Sequence, residues 1–222
     1  VTITIPTGDL CGILADCVPF AYPLDELPVI NAVRLEWDGN QLHAMATDRY
    51  RVAWSTWDPA DEPDAEGDQQ DDLFTRWGSD DSAWTLLIPL PDVKDLISNF
   101  KLKPKESGCP LTVDRHVDVA GPQLVVDRSR LTGHSALRMV IVGDKADAEY
   151  PDLRKLLADN SSAKPVRAIS YTPRLLADFG KVRPRGPMRM TFTGDRGLTH
   201  VEIGDRFVGA IQPVKDEDEA ES

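Results

Sequence analysis

The side chains of this 222-residue chain best suited to nucleophilic or metal chemistry are three cysteines, Cys11, Cys17 and Cys109, and four histidines, His43, His116, His134 and His200. Their spacing supports neither use. There is no CxxC pair, no histidine stands at ligand spacing from a cysteine, and no Ser–His–Asp order, HExxH, phosphate-binding Gly-Lys loop or GxGxxG occurs. The thiols read as buried or half-buried groups of a reducing compartment. His134-Ser135 sits in a polar stretch and reads as a turn. Carboxylates do cluster, but without the ligand spacing of a cation-binding loop. No catalytic centre, metal site or cofactor is expected, so any function must come from contact between surfaces.

Charge bears on which surfaces. The formal charge of −12 argues at first against a nucleic-acid partner. The acid is concentrated, however: Asp58 to Ser82 carries ten acids against one base, Arg76, and Asp216 to Ser222 carries five acids against none. The other 190 residues sum to +2. Both runs lack the periodicity of packed structure, so they are expected to form a long surface loop and a disordered tail. They would either be plain solvated faces, or repel DNA where it should not bind, or attract a basic partner. With 41% hydrophobic and 28% charged residues the balance is that of a soluble globular protein. No apolar run approaches the ~18 residues of a membrane span. The opening VTITIPTGDL lacks secretory features, which makes the cytoplasm the expected location.

One order of elements occurs three times: an extended segment, a short amphipathic helix, then three extended segments. In the first copy, VTITIP alternates like a strand. A helix follows, with Leu10, Ile13, Leu14 and Cys17 on one face, Thr7 or Asp9 as cap and Pro19 as stop. PVINAVRLEWDG, NQLHAMATD and RYRVAWSTW complete the unit, the first two joined by a tight turn at Asp38-Gly39. The second copy runs WTLLIPL, the helix PDVKDLISNFK, then LTVD, HVDVAGPQLVVDR and ALRMVIV. The third runs VRAISY, the helix TPRLLADFGKV with Pro173 at its first position, then MRMTFT, LTHVEI and RFVGAIQPVK. Three β-α-β-β-β units predict an α+β fold with helices on one face of antiparallel sheets and the other sheet face open to solvent.

The stretch PVINAVRLEWDGNQLHAMATDRYRVAWSTW closely resembles the middle domain of the bacterial DNA polymerase III β sliding clamp family, whose pattern reads L-x-G-hydrophobic-x-x-E … L-x-x-x-A-T-D-x-x-R-L-A. EYPDLRKLL, Glu149 to Leu157, resembles the segment that closes that domain, and FVGAIQPVK resembles the family's C-terminal strand. The three matches stand in the family's chain order, on a repeat of the right topology, and the resemblance as a whole extends over most of the chain. The resemblance implies a DNA clamp fold: repeated β-α-β-β-β units with antiparallel sheets outside and helices on the inner face. It implies a complete domain over residues 1–157, a linker at 158–164, half a domain at 165–215 and an acidic tail at 216–222. Six units make a family chain, and this one has three. Arg49 stands where the family has glycine after ATD, and Gln212 where it has methionine.

By the same resemblance the chain is a non-catalytic accessory subunit of a DNA polymerase. It would encircle duplex DNA without regard to sequence, and a groove would receive short motifs of partner proteins. The residues carried onto that groove are Ile30, Thr47, Arg49, Tyr50, Arg51, Val52, Pro151, Lys155 and Leu156 from the first domain, with Leu198, His200, Ala210, Ile211, Gln212, Pro213 and Val214 from the last unit. Asp48 could equally be a strand-end turn residue and Pro213 a tolerated edge proline. Lys94, Lys101, Lys103, Lys105, Arg174, Lys181, Arg183 and Arg185, on or after the second and third helices, could touch phosphates loosely, or simply complement helix C-termini. A clamp loader is a possible partner. A closed ring would need more than two copies, or the third unit would pair with its twin across a two-fold axis. The alternative is a non-encircling, clamp-derived module of phage or plasmid origin that keeps the groove and competes for clamp partners or regulates transcription.

Overall fold

A computed structural model describes residues 2–61, 82–119, 121–128, 136–143, 149–158, 163–183, 186–194 and 197–214. The acidic tail, His134, Arg185 and most of the 58–82 acidic run lie outside them.

Alternation in the first strand, β1 (Thr2–Pro6), buries Ile3 and Ile5 completely. Helix α1 (Thr7–Cys17) follows without a break and buries the predicted face of Leu10, Ile13, Leu14 and Cys17. Neither Thr7 nor Asp9 caps it. Instead the first-turn N–H groups of Thr7 and Gly8 donate to the carbonyls of Cys109 and Ser107, at 2.9 and 2.7 Å, so a distant turn does the work of a cap. The approach is so close that a Cβ on Gly8 would lie 2.6 Å from that of Ser107. Pro19 falls in the 3₁₀ turn Val18–Phe20 that ends the helix.

Strands β2 (Ala32–Trp37), β3 (Leu42–Thr47) and β4 (Arg51–Trp57) form a meander. At its Asp38-Gly39 turn, Asp38 Oδ1 accepts from the N–H groups of Asn40 and Gln41, and Gly39 adopts φ 101°. The second unit repeats the plan as β5 (Trp84–Pro89), α2 (Leu90–Phe100), β6 (Pro110–Asp118), β7 (Gly121–Arg128) and β8 (Leu137–Val142). HVDVAGPQLVVDR is not one strand, as its composition suggested. The chain reverses at Val119 to Gly121, where Asp118 Oδ1 accepts from Val119 N–H and Gly121 has φ 119°.

The two units exchange their opening strands: β1 pairs with β6, and β5 with β2. Sheet order is β1-β6-β7-β8 in one sheet; the other begins β5-β2-β3-β4. Helix α1 packs on β3 and β4 and against α2.

The third unit comprises α4 (Pro173–Ala177), continued by a 3₁₀ turn to Lys181, and the meander β9 (Met188–Thr191), β10 (Thr199–Ile203) and β11 (Phe207–Ile211). β11 pairs antiparallel with β4, giving a seven-stranded sheet β5-β2-β3-β4-β11-β10-β9. VRAISY, expected as a strand, keeps only a bridge from Ser170 to Val214. The earlier opening strands are held by a sister unit's meander, and no fourth unit is present among the described residues to hold this one. One buried cluster runs through all three units, with Phe20, Phe179 and Phe207 in mutual ring contact.

The outer sheet face is not left bare over β2 to β4. Helix α3 (Leu153–Ala158), from the EYPDLRKLL segment, lies on it. Tyr150 and Leu153 pack there with Met45, Val52 and Ala210 in a second apolar cluster. Tyr150 O–H donates to the Met45 carbonyl at 3.2 Å. Arg154 pairs with Glu36 and stacks over the Trp54 ring at 4.7 Å.

Candidate functional site

The seam between the first and third units is built on the β3–β4 turn, T-D-R-Y-R. Asp48 Oδ1 accepts from the N–H groups of Tyr50 and Arg51, and Thr47 O–H donates to the Arg51 carbonyl at 2.8 Å. These bonds hold Arg49 at φ 79°, the left-handed region that glycine adopts most easily. Tyr50 is thereby turned outward and is 58% exposed. Its carbonyl accepts from Gln212 N–H at 2.8 Å, continuing the β4–β11 ladder, so the turn and the segment that leaves β11 lie side by side.

Arg51 goes the other way and is 5% exposed. Its guanidinium donates to Asp48 Oδ2, to Asp178 Oδ2 at 2.5 Å, and to the carbonyls of Leu175 and Pro19 at 3.0 and 2.9 Å. It also stacks on Phe20 at 5.0 Å. Burial acts to raise the Asp178 pKa, but hydrogen bonds from Lys181 and Arg51 outweigh it and hold the carboxyl below its ordinary value. A second link crosses the seam at Asp16, which accepts from Ser55 O–H at 3.0 Å and from Arg183 N–H at 2.6 Å. Burial pushes its pKa up to about 6.

Over this seam lies a cavity of about 590 Å³. Ten of the residues carried over by resemblance line it: Ile30, Thr47, Arg49, Tyr50, Arg51, Val52, Pro151, Leu156, Leu198 and Gln212. Lys155, His200, Ala210, Ile211, Pro213 and Val214 do not. Ala210 and Ile211 are buried on β11, between β4 and β10 in the sheet, and Lys155 is exposed on α3. Leu27, Pro28, Val29, Glu149 and Leu153 line it too and were not anticipated. PVINAVRLEWDG was expected as one extended segment from Pro28, but β2 begins only at Ala32, which leaves the apolar run LPVI in the loop before it. Apolar walls with a few polar groups at the rim suit one hydrophobic anchor of a ligand and a directional contact beside it.

The basic residues are more scattered. Lys94 is exposed on α2, beside Asp92 and Asp95, and Lys101, Lys103 and Lys105 are exposed in the segment after it. Arg174 is exposed on α4, Lys181 is paired with Asp178 at 2.6 Å, and Arg183 is exposed. Arg185 lies outside the described residues. Helix α1 carries no Lys or Arg.

No group of three or more metal-ligating side chains occurs among the described residues. Burial pushes the Cys11 pKa up to about 11 and also raises that of Cys17. His43 is bonded at both ring nitrogens, to Asp38 Oδ2 through Nε2 and to Trp54 N–H and Thr56 Oγ1 at Nδ1, and burial lowers its pKa despite Asp38. It does not line the cavity and serves as a latch between strands.

Meander sheets with exchanged opening strands and paired inner helices make up a DNA clamp fold. Solved structures agree. The DNA polymerase III β subunit of Thermotoga maritima superposes with a TM-score of 0.66 at 14% identity over 97% of this chain. The Streptococcus pyogenes β subunit gives 0.64 at 12% over 97%, and the Bacillus subtilis sliding clamp 0.59 at 15% over 97%. The chain spans 66%, 66% and 64% of their respective lengths. At the level of sequence, no family model and no curated protein matches.

Proposed function

We propose that the chain is a non-catalytic, sliding-clamp-like processivity factor. It encircles duplex DNA as a homo-oligomer and tethers a polymerase, and other partners, through short peptide motifs seated over the β4–β11 seam. Residues 1–157 act as one clamp domain and 165–215 as half of another, joined at 158–164. The observation that carries this reading is the cavity itself, apolar-walled, rimmed by Arg49, Tyr50 and Gln212, and placed where two units meet. A motif with one apolar anchor would bind there with a Kd of order micromolar, weak enough for partners to exchange. Four copies of three units would supply the twelve units expected of a closed ring, and two copies only six. DNA contact would be loose and salt-sensitive, through Lys94, Lys101, Lys103, Lys105, Arg174 and Arg183.

One observation favours the non-encircling alternative: α1 offers no basic residue to a central duplex. Loading on nicked circular DNA separates the two. Retention on the circle with release on linearisation supports encirclement. Binding of a Gln-x-Leu-Phe-type peptide without such retention supports the free module, and failure of both overturns the proposal.

A further inference from the structure

Each meander has two outer edges, and the chain shows what each kind of edge takes. On the first strand of the meander, β2 or β6, sits the opening strand of a sister unit, β5 or β1. On the last strand sits another last strand: β4 and β11 pair antiparallel from Arg51↔Ile211 to Phe207↔Ser55. Two of the three last strands thus occupy each other. The third, β8, pairs with β7 on one side and with no described strand on the other.

The strand itself carries little that would defend that edge. Its sequence LRMVIV holds one charge and no proline, and proteins normally blunt free edges with lysine, proline or a bulge. Val140 and Val142 point outward, 51% and 48% exposed, and Val140 lies opposite Val125 across the β7–β8 ladder. Together they form an apolar row at the open rim of the sheet.

We propose that β8 pairs antiparallel with β8 of a second copy of this chain. Among the described residues β4 and β11 are already taken, which leaves the β8 of another copy as the last strand of this type able to pair with β8. A strand paired antiparallel with its own copy is two-fold symmetric, so the contact closes on itself. A register that keeps inward and outward faces aligned sets Val140 opposite the Val140 of its copy and Arg138 opposite Val142. That places the arginines away from each other and joins two valine rows. The inference deepens the proposed assembly by naming one of its interfaces, and it requires neither DNA nor a bound peptide.

The test is the mass of the full chain by sedimentation equilibrium at tens of micromolar, a range in which weak strand pairing is populated. The wild type should sediment as an even-numbered oligomer. Val140→Lys should at least halve that mass while leaving the far-UV circular dichroism spectrum of the folded chain unchanged. In a Cys109→Ser background, Val140→Cys should give a disulfide-linked dimer on mild oxidation. Val117→Cys, on the exposed end of β6, should not. A monomeric wild type, an unaltered mass for Val140→Lys, or a Val140→Cys chain that fails to cross-link would overturn the interface. Motif-peptide binding by wild type and Val140→Lys alike would leave the groove reading standing if the interface fails.

Discussion

The guanidinium of Arg51 and the carboxylate of Asp178 meet at 2.5 Å across 127 positions of sequence, and they hold the third unit against the first. The same guanidinium reaches Asp48 and the Pro19 and Leu175 carbonyls, so it is the common partner of four elements.

Arg51→Ala should therefore be severe. It strands the buried Asp48 carboxylate and two carbonyls and takes from the half-buried Asp178 all but its Lys181 partner, and removal of one member of such a network costs about 3–5 kcal/mol. Urea unfolding should show that loss. Asp178→Asn, which keeps an acceptor, should cost distinctly less.

Asp16 gives the opposite pH behaviour to Asp178. Its folded pKa of about 6 lies above its ordinary value of 3.8, so the folded state holds the proton more tightly than the unfolded chain. Stability should fall as pH rises from about 4 to about 6 and then level off, by an amount of order 3 kcal/mol at ~1.4 kcal/mol per pKa unit. Asp16→Asn can still accept from Arg183 N–H and face Ser55. Its urea midpoint should stay flat over this window and exceed that of the wild type at pH 7.

Arg49→Gly should stabilise. A non-glycine residue at φ 79° carries a cost of roughly 1 kcal/mol that glycine avoids, less the extra entropy of glycine in the unfolded chain. A rise of a few tenths to about 1 kcal/mol in unfolding free energy is expected by calorimetry.

Tyr50→Ala separates groove from fold. The ring is mostly exposed, so stability should change by less than about 0.5 kcal/mol, the usual range for surface positions. Loss of an aromatic wall should weaken motif-peptide binding about tenfold or more, as read by fluorescence anisotropy.

Much of the architecture could be read from the order of residues. Ile3 and Ile5, or Leu10, Ile13, Leu14 and Cys17, declare strand and helix because their spacing follows the local period of the backbone. Asp38-Gly39 declares its turn for the same reason. Leu27 to Val29 escaped because PVINAVRLEWDG reads as one extended segment from Pro28, whereas β2 begins only at Ala32 and leaves the apolar residues before it in a loop. The missed break in HVDVAGPQLVVDR had a different cause: its residues favour strand on both sides of the reversal, and only the Ala-Gly-Pro step marks the turn.

Arg51 is the sharpest case of what residue order alone leaves open. The ATDRYR motif marks it for the seam, yet its neighbours in sequence do not reveal that its head group turns inward to Asp178 while Tyr50 turns outward. Unaided, the sequence determined the three units, their helices and most of their strands, since each depends on residues within a few positions. Only the tertiary structure decided that β1 and β5 change places, that β4 takes β11, and that a cavity opens where they join. Antiparallel strands accept any partner of matching face, and the choice among partners is made by burial across the whole molecule.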